Sequence, residues 1–529
     1  MDFDLLFRGG TLLDGTGAPG RRADLGVCGE DIAAIGALEG AQARRVLEAA
    51  GLAVAPGFID IHAHGDLFPL LCPEAPARLL DGVTTEVLGN CGESPFPQTP
   101  AMLAERASGA ERHGIAVDWA TLDDYAARHD AARCGINRAS LVGHGNIRLA
   151  VLGEADRPAT EPELAAMCRE AEAALDAGAF GLSSGLYYTP GMWARPGELE
   201  ALCRPVARRG ALYASHIRNE GDEIEAAIEE FVDVARATGV RLQLSHVKVS
   251  GAANWAKADQ VIARLQAIRA AGIDLACDRY PYIASSTSLG SQLPGWAREG
   301  GRAAMLERLR EPGTRARILA ALEADFPSQA AWDALRIADA ASDAWRHAEG
   351  RSIRDLATEA GARPAELVLE LLAASDGRTS IVHFTMCEEN LRKWLRLPFV
   401  AIGSDSSSRS IEGPTARGKP HPRSYGASAR VLGRYVREER LLSLPEAVHK
   451  LTGLPASRLG LKRRGVLRPG AAADITAFDP AGITDRATFE LPQQYSTGIR
   501  YVLVNGALAV EDGRLTGARN GRFLRRGSE

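Results

Sequence analysis

The chain changes its hydrophobic rhythm twice. Residues 3–55 alternate apolar and polar positions over short runs (4–8, 11–13, 25–27 and 32–36) punctuated by Gly and Asp, and no helical period competes there. Residues 473–480 and 501–506 repeat that texture, so the two ends are expected to pair into one small β-sandwich domain built from 1–55 and 465–529. Between them, apolar strand runs alternate with amphipathic helical stretches. The strands predicted are 57–62, 84–88, 138–144, 180–184, 212–216, 241–246, 273–278 and 399–405, with helices such as 161–177, 223–238 and 258–271 between them. Eight such alternations favour an α/β fold of the (β/α)8 TIM-barrel type, over 56–464, rather than an open doubly wound sheet. The interval 289–361, with a charged helical stretch at 302–324 and the tryptophans Trp332 and Trp345, predicts an inserted lid subdomain on the barrel face where ligands bind.

Composition narrows the class of ligand. With 529 residues, 46% hydrophobic and 24% charged, the chain buries a large core, and a net charge of -5 without a long basic run gives no electrostatic reason to expect nucleic acid or a lipid surface. A small molecule is the expected partner, and nothing in the sequence sets an oligomeric state. Neither a basic, apolar leader nor a run of about 18 apolar residues is present, so a cytoplasmic protein is expected. The eight cysteines form no CxxC pair and are expected to be mostly buried free thiols, with any special one identified by its neighbours.

The strongest chemical signal is the run from Pro56 to Gly65, which ends Ile61-His62-Ala63-His64-Gly65. Two histidines one residue apart on a strand point the same way, here at the C-terminal end of the first barrel strand, where they can hold one metal. The other predicted strand ends supply Cys91 in Gly89-Asn90-Cys91-Gly92, His216 after Ala214-Ser215, His246 after Leu244-Ser245, and Asp405 after Gly403-Ser404. Thiolate, imidazole and carboxylate donors together suit Zn²⁺.

At these residues the chain resembles the amidohydrolase superfamily, which carries HxH on strand 1, histidines on strands 5 and 6, and an Asp on strand 8. Many of its members bridge two metals with a strand-4 lysine. Strand 4 here reads Phe180-Gly181-Leu182-Ser183-Ser184, and the cysteine of GNCG takes the place of that lysine. That substitution marks the N-acyl-D-amino-acid deacylases (D-aminoacylases), which the chain also resembles in Val142-Gly143-His144-Gly145, in 185–191, in Ser245-His246-Val247-Lys248 and in 421–426. The resemblance implies one tight zinc on Cys91, His216 and His246, and a weaker second metal at His62, His64 and Asp405 with Cys91 bridging.

Lys248 lies two residues beyond His246, so it shares that inward face and offers a cation for an anionic ligand. The resemblance makes it the reader of a substrate carboxylate, with Tyr188 and Tyr280 as hydrogen-bond donors. Tyr282 shares the period-2 phase of Tyr280. His144, Arg218 and Arg423 are read equally as pocket residues or as ion pairs and loop anchors, and His383 as structural. The reaction implied is hydrolysis of the amide of an N-acyl-D-amino acid, with Asp405 as base and proton shuttle. A dipeptidase acting on a C-terminal D-residue presents the same amide, a cyclic-amide hydrolase would be expected to show the strand-4 lysine, and a non-catalytic amidohydrolase-like scaffold would be expected to have lost ligands.

Overall fold

The computed structural model describes residues 2–65, 67–110 and 115–528. Eight parallel strands form a ring: Phe58–Asp60, Val83–Leu88, Asn137–Ser140 continued by Val142–Gly143, Gly181–Gly185, Leu212–His216, Arg241–Leu244, Leu275–Arg279 and Val400–Ile402. The half from Val142 to Ile402 is one unbroken six-stranded ladder, and the first three strands form a second sheet. The two sheets meet inside the third strand, where the N–H of Leu141 donates to Leu88 O at 3.0 Å and that of Phe180 to Ser140 O at 2.9 Å. They meet again at a seam between the eighth and first strands, through a single parallel bridge between Ala63 and Ser406 and a bond from the N–H of Asp405 to His62 O at 2.7 Å.

Local chemistry sets the crossover helices. Helix Glu161–Asp176 begins at a capping box between Thr160 and Glu163, which satisfies two otherwise orphaned N–H groups. Helix Ile224–Thr238 ends at Gly239, whose φ of +74° suits a residue without Cβ. Their apolar faces and the outward side chains of the strands form one large buried cluster, including Leu182, Leu199, Tyr213, Phe231, Leu242 and Leu265. Alternate residues Ile59, Val87, Ala139, Phe180 and Ala214 point the other way and pack with Leu459 and Leu524. The C-terminal tail reaches this cluster by adding Arg522, Phe523 and Leu524 beside Arg138.

Strands from both ends of the chain form one nine-stranded sheet. Its junction is the fully buried Ala53–Pro56, which pairs parallel with Asp2–Leu12 and antiparallel with Ile475–Phe478. Gly57 then enters the barrel, and a Cβ there would meet the Thr84 hydroxyl at 2.1 Å. The sequence suggested two short runs at 4–8 and 11–13, whereas Asp2–Leu12 is continuous, with an irregularity between Phe7 and Gly10.

Between the seventh and eighth barrel strands the chain builds a three-stranded antiparallel sheet, Ser285–Ser288, Leu335–Asp339 and Ser380–His383, with its own core of Leu306, Ile318, Leu322, Ile337 and Leu371. Two of these strands lie outside 289–361. The helical stretch read at 302–324 divides into Gly301–Arg310 and Pro312–Asp325, because Pro312 has no N–H to continue the first helix and the Glu311 carboxylate caps the second.

Candidate metal centre

The donor residues of the sequence analysis converge at the C-terminal mouth of the ring. Donor atoms of three overlapping groups (His62, His64 and Cys91; Cys91, His216 and His246; His62, His246 and Asp405) lie within 4.8 Å of one another. Cys91 Sγ is 3.4 Å from Nε2 of both His62 and His246, and His64 Nε2 is 2.9 Å from Asp405 Oδ1. The strands deliver these side chains by stopping short. His246 and Asp405 stand two and three residues past their strand ends, and with Cys91 they have left-handed backbones at φ +35°, +52° and +53°. Such conformations in non-glycine residues cost about 1–3 kcal/mol each and persist only where the surroundings fix them. For Cys91 the surroundings are Gly89 and Gly92, both at positive φ, and Ser183, whose hydroxyl accepts from the N–H of Gly92 at 3.0 Å and donates to Gly89 O.

Carboxylates behind the imidazoles set their orientation. Asp278, at the end of the seventh strand, takes His62 Nδ1 at 2.8 Å and the N–H of His246 at 2.8 Å, while Gln243 holds its other oxygen. Glu220 Oε1 lies 3.1 Å from His246 Nδ1 and 2.5 Å from Lys248 Nζ. His216 Nδ1 is buried without a partner among the described residues. Burial works against charge on His64 and His246, but the Cys91 thiolate and the neighbouring carboxylates outweigh it and lift their pKa values to about 10 and about 9. Burial would raise the Asp405 carboxyl, yet Arg423, whose Nη1 is 2.6 Å from Oδ2, and the adjacent imidazoles hold it well below the usual carboxylate range. The anionic thiolate and carboxylates thus draw protons onto His62, His64 and His246, while burial pushes His216 the other way, and a divalent cation would take the place of those protons.

Above the donors opens a cavity of about 1170 Å³. It is lined by His64, Cys91, Tyr188, His216, His246, Lys248, Asp405 and Arg423, and by inserted-segment residues including Asp325, Ser328 and His383. Lys248 faces it already paired with Glu220. Tyr188 reaches Thr287 in the insertion, hydroxyl to hydroxyl at 3.3 Å, and its ring meets His216 edge-on. Tyr280 is fully buried and does not line the cavity; its ring lies 4.5 Å from the Arg423 guanidinium and 5.9 Å from Lys248 Nζ. Tyr282 is buried against His421. His144 pairs with Glu198 at 2.7 Å, and Arg218 binds Glu230 and the carbonyls of Met192 and Ala194, so both anchor loops.

Asp278, Glu220 and Arg409 were absent from the sequence reading. Asp278 alone carried a signal, as the last residue of a predicted strand at the level of the histidines. Glu220 and Arg409 follow strand ends in loops, where no periodicity marks them.

Residues 45–510 match the profile of the amidohydrolase family, and the chain belongs to that family, within its D-aminoacylase branch. It is 39% identical over 526 residues to the N-acyl-D-glutamate deacylase of Alcaligenes xylosoxydans xylosoxydans, covering 99% of this chain and 96% of the relative. The D-aminoacylase of the same organism is 37% identical over 528 residues, covering 99% and 98%. The crystal structure of N-acyl-D-glutamate deacylase from Bordetella bronchiseptica, complexed with zinc and a phosphonate mimic of the tetrahedral intermediate, superposes with a TM-score of 0.83 at 38% identity, covering 99% of this chain and all of that one. Among the described residues no helix is long and apolar enough to cross a membrane.

Proposed function

We propose that the chain is a zinc-dependent hydrolase of N-acyl-D-amino acids, releasing a carboxylate and the free D-amino acid. The observation that carries this is the donor cluster itself: Cys91 joins two histidine pairs and Asp405 at one barrel mouth, in a chain similar over its whole length to deacylases of that class. Cys91, His216 and His246 would hold the tight zinc, and His62, His64 and Asp405, sharing Cys91, a weaker second ion. Bound there, zinc supplies Lewis-acid polarisation of the scissile carbonyl and a water pKa lowered from about 15.7 toward about 7.

The protein's own groups handle the protons and the substrate's charge. Arg423 occupies Asp405 Oδ2, which leaves Oδ1 on the donor side to accept the proton of the attacking water and return it to the departing nitrogen. Lys248 would read the substrate's α-carboxylate, exchanging part of its bond to Glu220, with the Tyr188 hydroxyl beside it. Tyr280 fixes Lys248 and Arg423 from behind by cation–π contact, and is not itself a donor to substrate.

The cavity favours an acidic D-side chain. The half-buried Arg409 guanidinium lines it, bonds Thr415 O at 3.0 Å and lies over Phe68, and no ion pair claims it among the described residues, although Asp339 faces the same cavity. Burial pulls its pKa down, the mark of a cation with unmet charge. The volume also exceeds what an N-acetyl amino acid fills, and this room favours longer acyl groups, including the N-terminal residue of a dipeptide ending in a D-residue. Residues 1–55 with 465–529 would form the supporting β-domain and 56–464 the catalytic one, in a protein of the cytoplasm whose eight cysteines are all unpaired.

A panel of N-acetyl-D- and L-amino acids, assayed with zinc-loaded and chelated protein, tests the proposal. Release from D-glutamyl and D-aspartyl substrates only, lost with chelation and weakened in Arg409→Met, is expected. Equal turnover of L-substrates, or turnover untouched by chelation, would contradict it.

A further inference from the structure

The segment that carries Asp405 leaves the eighth strand, crosses the top of the first, and is pinned at alternate residues by buried charge. At 404, the N–H donates to Asp60 Oδ1 at 2.8 Å and the hydroxyl to Oδ2. At 406, the carbonyl accepts from Arg78 Nη2 at 2.7 Å. At 408, the hydroxyl lies 3.0 and 2.9 Å from the two oxygens of Glu86. The pinning groups are themselves joined: Arg78 Nε donates to Glu86 at 3.0 Å, Arg138 Nε donates to it at 2.7 Å, and Arg78 Nη1 lies 3.4 Å from Asp60 Oδ2.

These groups do not face the barrel axis. Ile59, Val87 and Ala139 do, so Asp60, Glu86 and Arg138, each one residue away, lie on the opposite face of their strands. Two carboxylates and two guanidiniums, all at most 5% exposed, make a poor bargain for stability compared with apolar packing of the same volume. What they do deliver is three fixed points on the segment at 404–408, around a residue whose backbone is strained. Asp405 sits at φ +52°, a conformation kept only where neighbours over-determine it. The main chain holds Asp405 and Ser406 through the bonds from the Asp405 N–H to His62 O at 2.7 Å and from the His64 N–H to Ser406 O at 3.0 Å, and the charged network adds the side-chain contacts on either side.

We infer that Glu86, with Arg78, is a positioning device for Asp405: through Ser408 and Ser406 it holds the strained backbone that aims the Asp405 carboxylate at the donor cluster. The inference rests on the reading of Asp405 as the proton-transferring base.

The test is a double-mutant cycle in the zinc-loaded, full-length enzyme. Ser408→Ala removes both hydroxyl contacts to Glu86 with little change of volume. It should lower kcat by roughly ten-fold or more, because a misplaced group loses much of its rate contribution, while KM, zinc content and Tm hold. Combined with Asp405→Asn, it should change the remaining rate by less than about two-fold, since groups that act through one another are not additive. A wild-type kcat in Ser408→Ala, or an undiminished loss in the Asp405→Asn background, would overturn the inference. Should Ser408→Ala fold poorly, Glu86→Gln, of equal size, should show the same dependence on Asp405, and a crystal structure of either variant should show the carboxylate displaced; an unmoved carboxylate overturns it. The outcomes separate from those of the parent reading. Asp405→Asn with normal turnover removes the base and this inference together, whereas an inactive Asp405→Asn beside an unaffected Ser408→Ala removes the inference alone.

Discussion

The two halves of the ring place their donors by different means. In the half from Val142 to Ile402, an unbroken parallel ladder carries Leu212–His216 and Arg241–Leu244 in register; His216 ends its strand, and His246 stands two residues past its own, its N–H held by Asp278. In the half containing the seam, the ladder is thin, and His62, His64 and Asp405 are held by side-chain charge: Asp278 on His62, Arg423 on Asp405, and the Asp60, Arg78, Glu86 and Arg138 network beneath. The ladder half carries the two histidines proposed for the tight site, backed by Glu220 and Asp278. The seam half, built from groups that are expensive to bury, carries Asp405, the residue proposed to exchange protons.

That contrast predicts a split between metal retention and chemistry. The largest effect belongs to His246→Ala on the ladder side, which should lose tightly bound zinc and, with it, several kcal/mol of transition-state stabilisation, about 10³-fold or more in turnover. Metal analysis beside kinetics checks this, and full zinc occupancy in the variant would break the comparison. Asp405→Asn on the seam side should lower kcat by about 10²–10⁴-fold while the tight site keeps its metal. Loss of zinc there would mean that the two halves are not separable.

Lys248→Met bridges the two. A charge-assisted contact of about 1.5–3 kcal/mol predicts roughly ten-fold or more off kcat/KM for free N-acetyl-D-amino acids. The carboxamide analogue, which lacks the charge, should be a poor substrate for both forms and lose little further. Equal losses on both substrates would assign Lys248 to holding Glu220 and His246 in place.

The smallest effect lies away from both halves. Burial pushes His383, in the inserted sheet and at the cavity wall, down to about 4, so the folded protein keeps it neutral where the unfolded chain takes up a proton. Its contribution is fully present above pH 6.5 and is lost as pH falls toward 4. Tm should fall over that window, and His383→Asn should flatten part of the slope. An unchanged slope would show that other groups dominate it.

The same contrast explains what the sequence made legible. The eight strands, the candidate ligands His62, His64, His216 and His246, and the crossover helices follow from period-2 and period-3.6 patterns, which report how the main chain faces its core. Cys91 was legible through its place at a strand end in company with the histidines, and through the missing strand-4 lysine; alone it reads as one more buried thiol. Glu86 and Asp60 were invisible as a network, since a charged residue inside a strand reads as a solvent-facing position, and so was Arg78 in the short helix Pro76–Leu79; nothing local shows that Ser408, some 320 residues away, covers Glu86. The resemblance put Tyr280 beside the substrate, and its full burial behind Lys248 and Arg423 was not legible, since periodicity gives a face and not a depth. Pro312, by contrast, lay in plain sight within a stretch read as one helix.

The most direct test of the account is the hydrolysis of racemic N-acetylglutamate by the zinc-loaded protein, followed to its end with chiral analysis of the products. The account predicts release that stops at half conversion, yields D-glutamate alone, and disappears when the zinc is removed. Complete conversion, release of L-glutamate, or full activity in metal-free protein would contradict it.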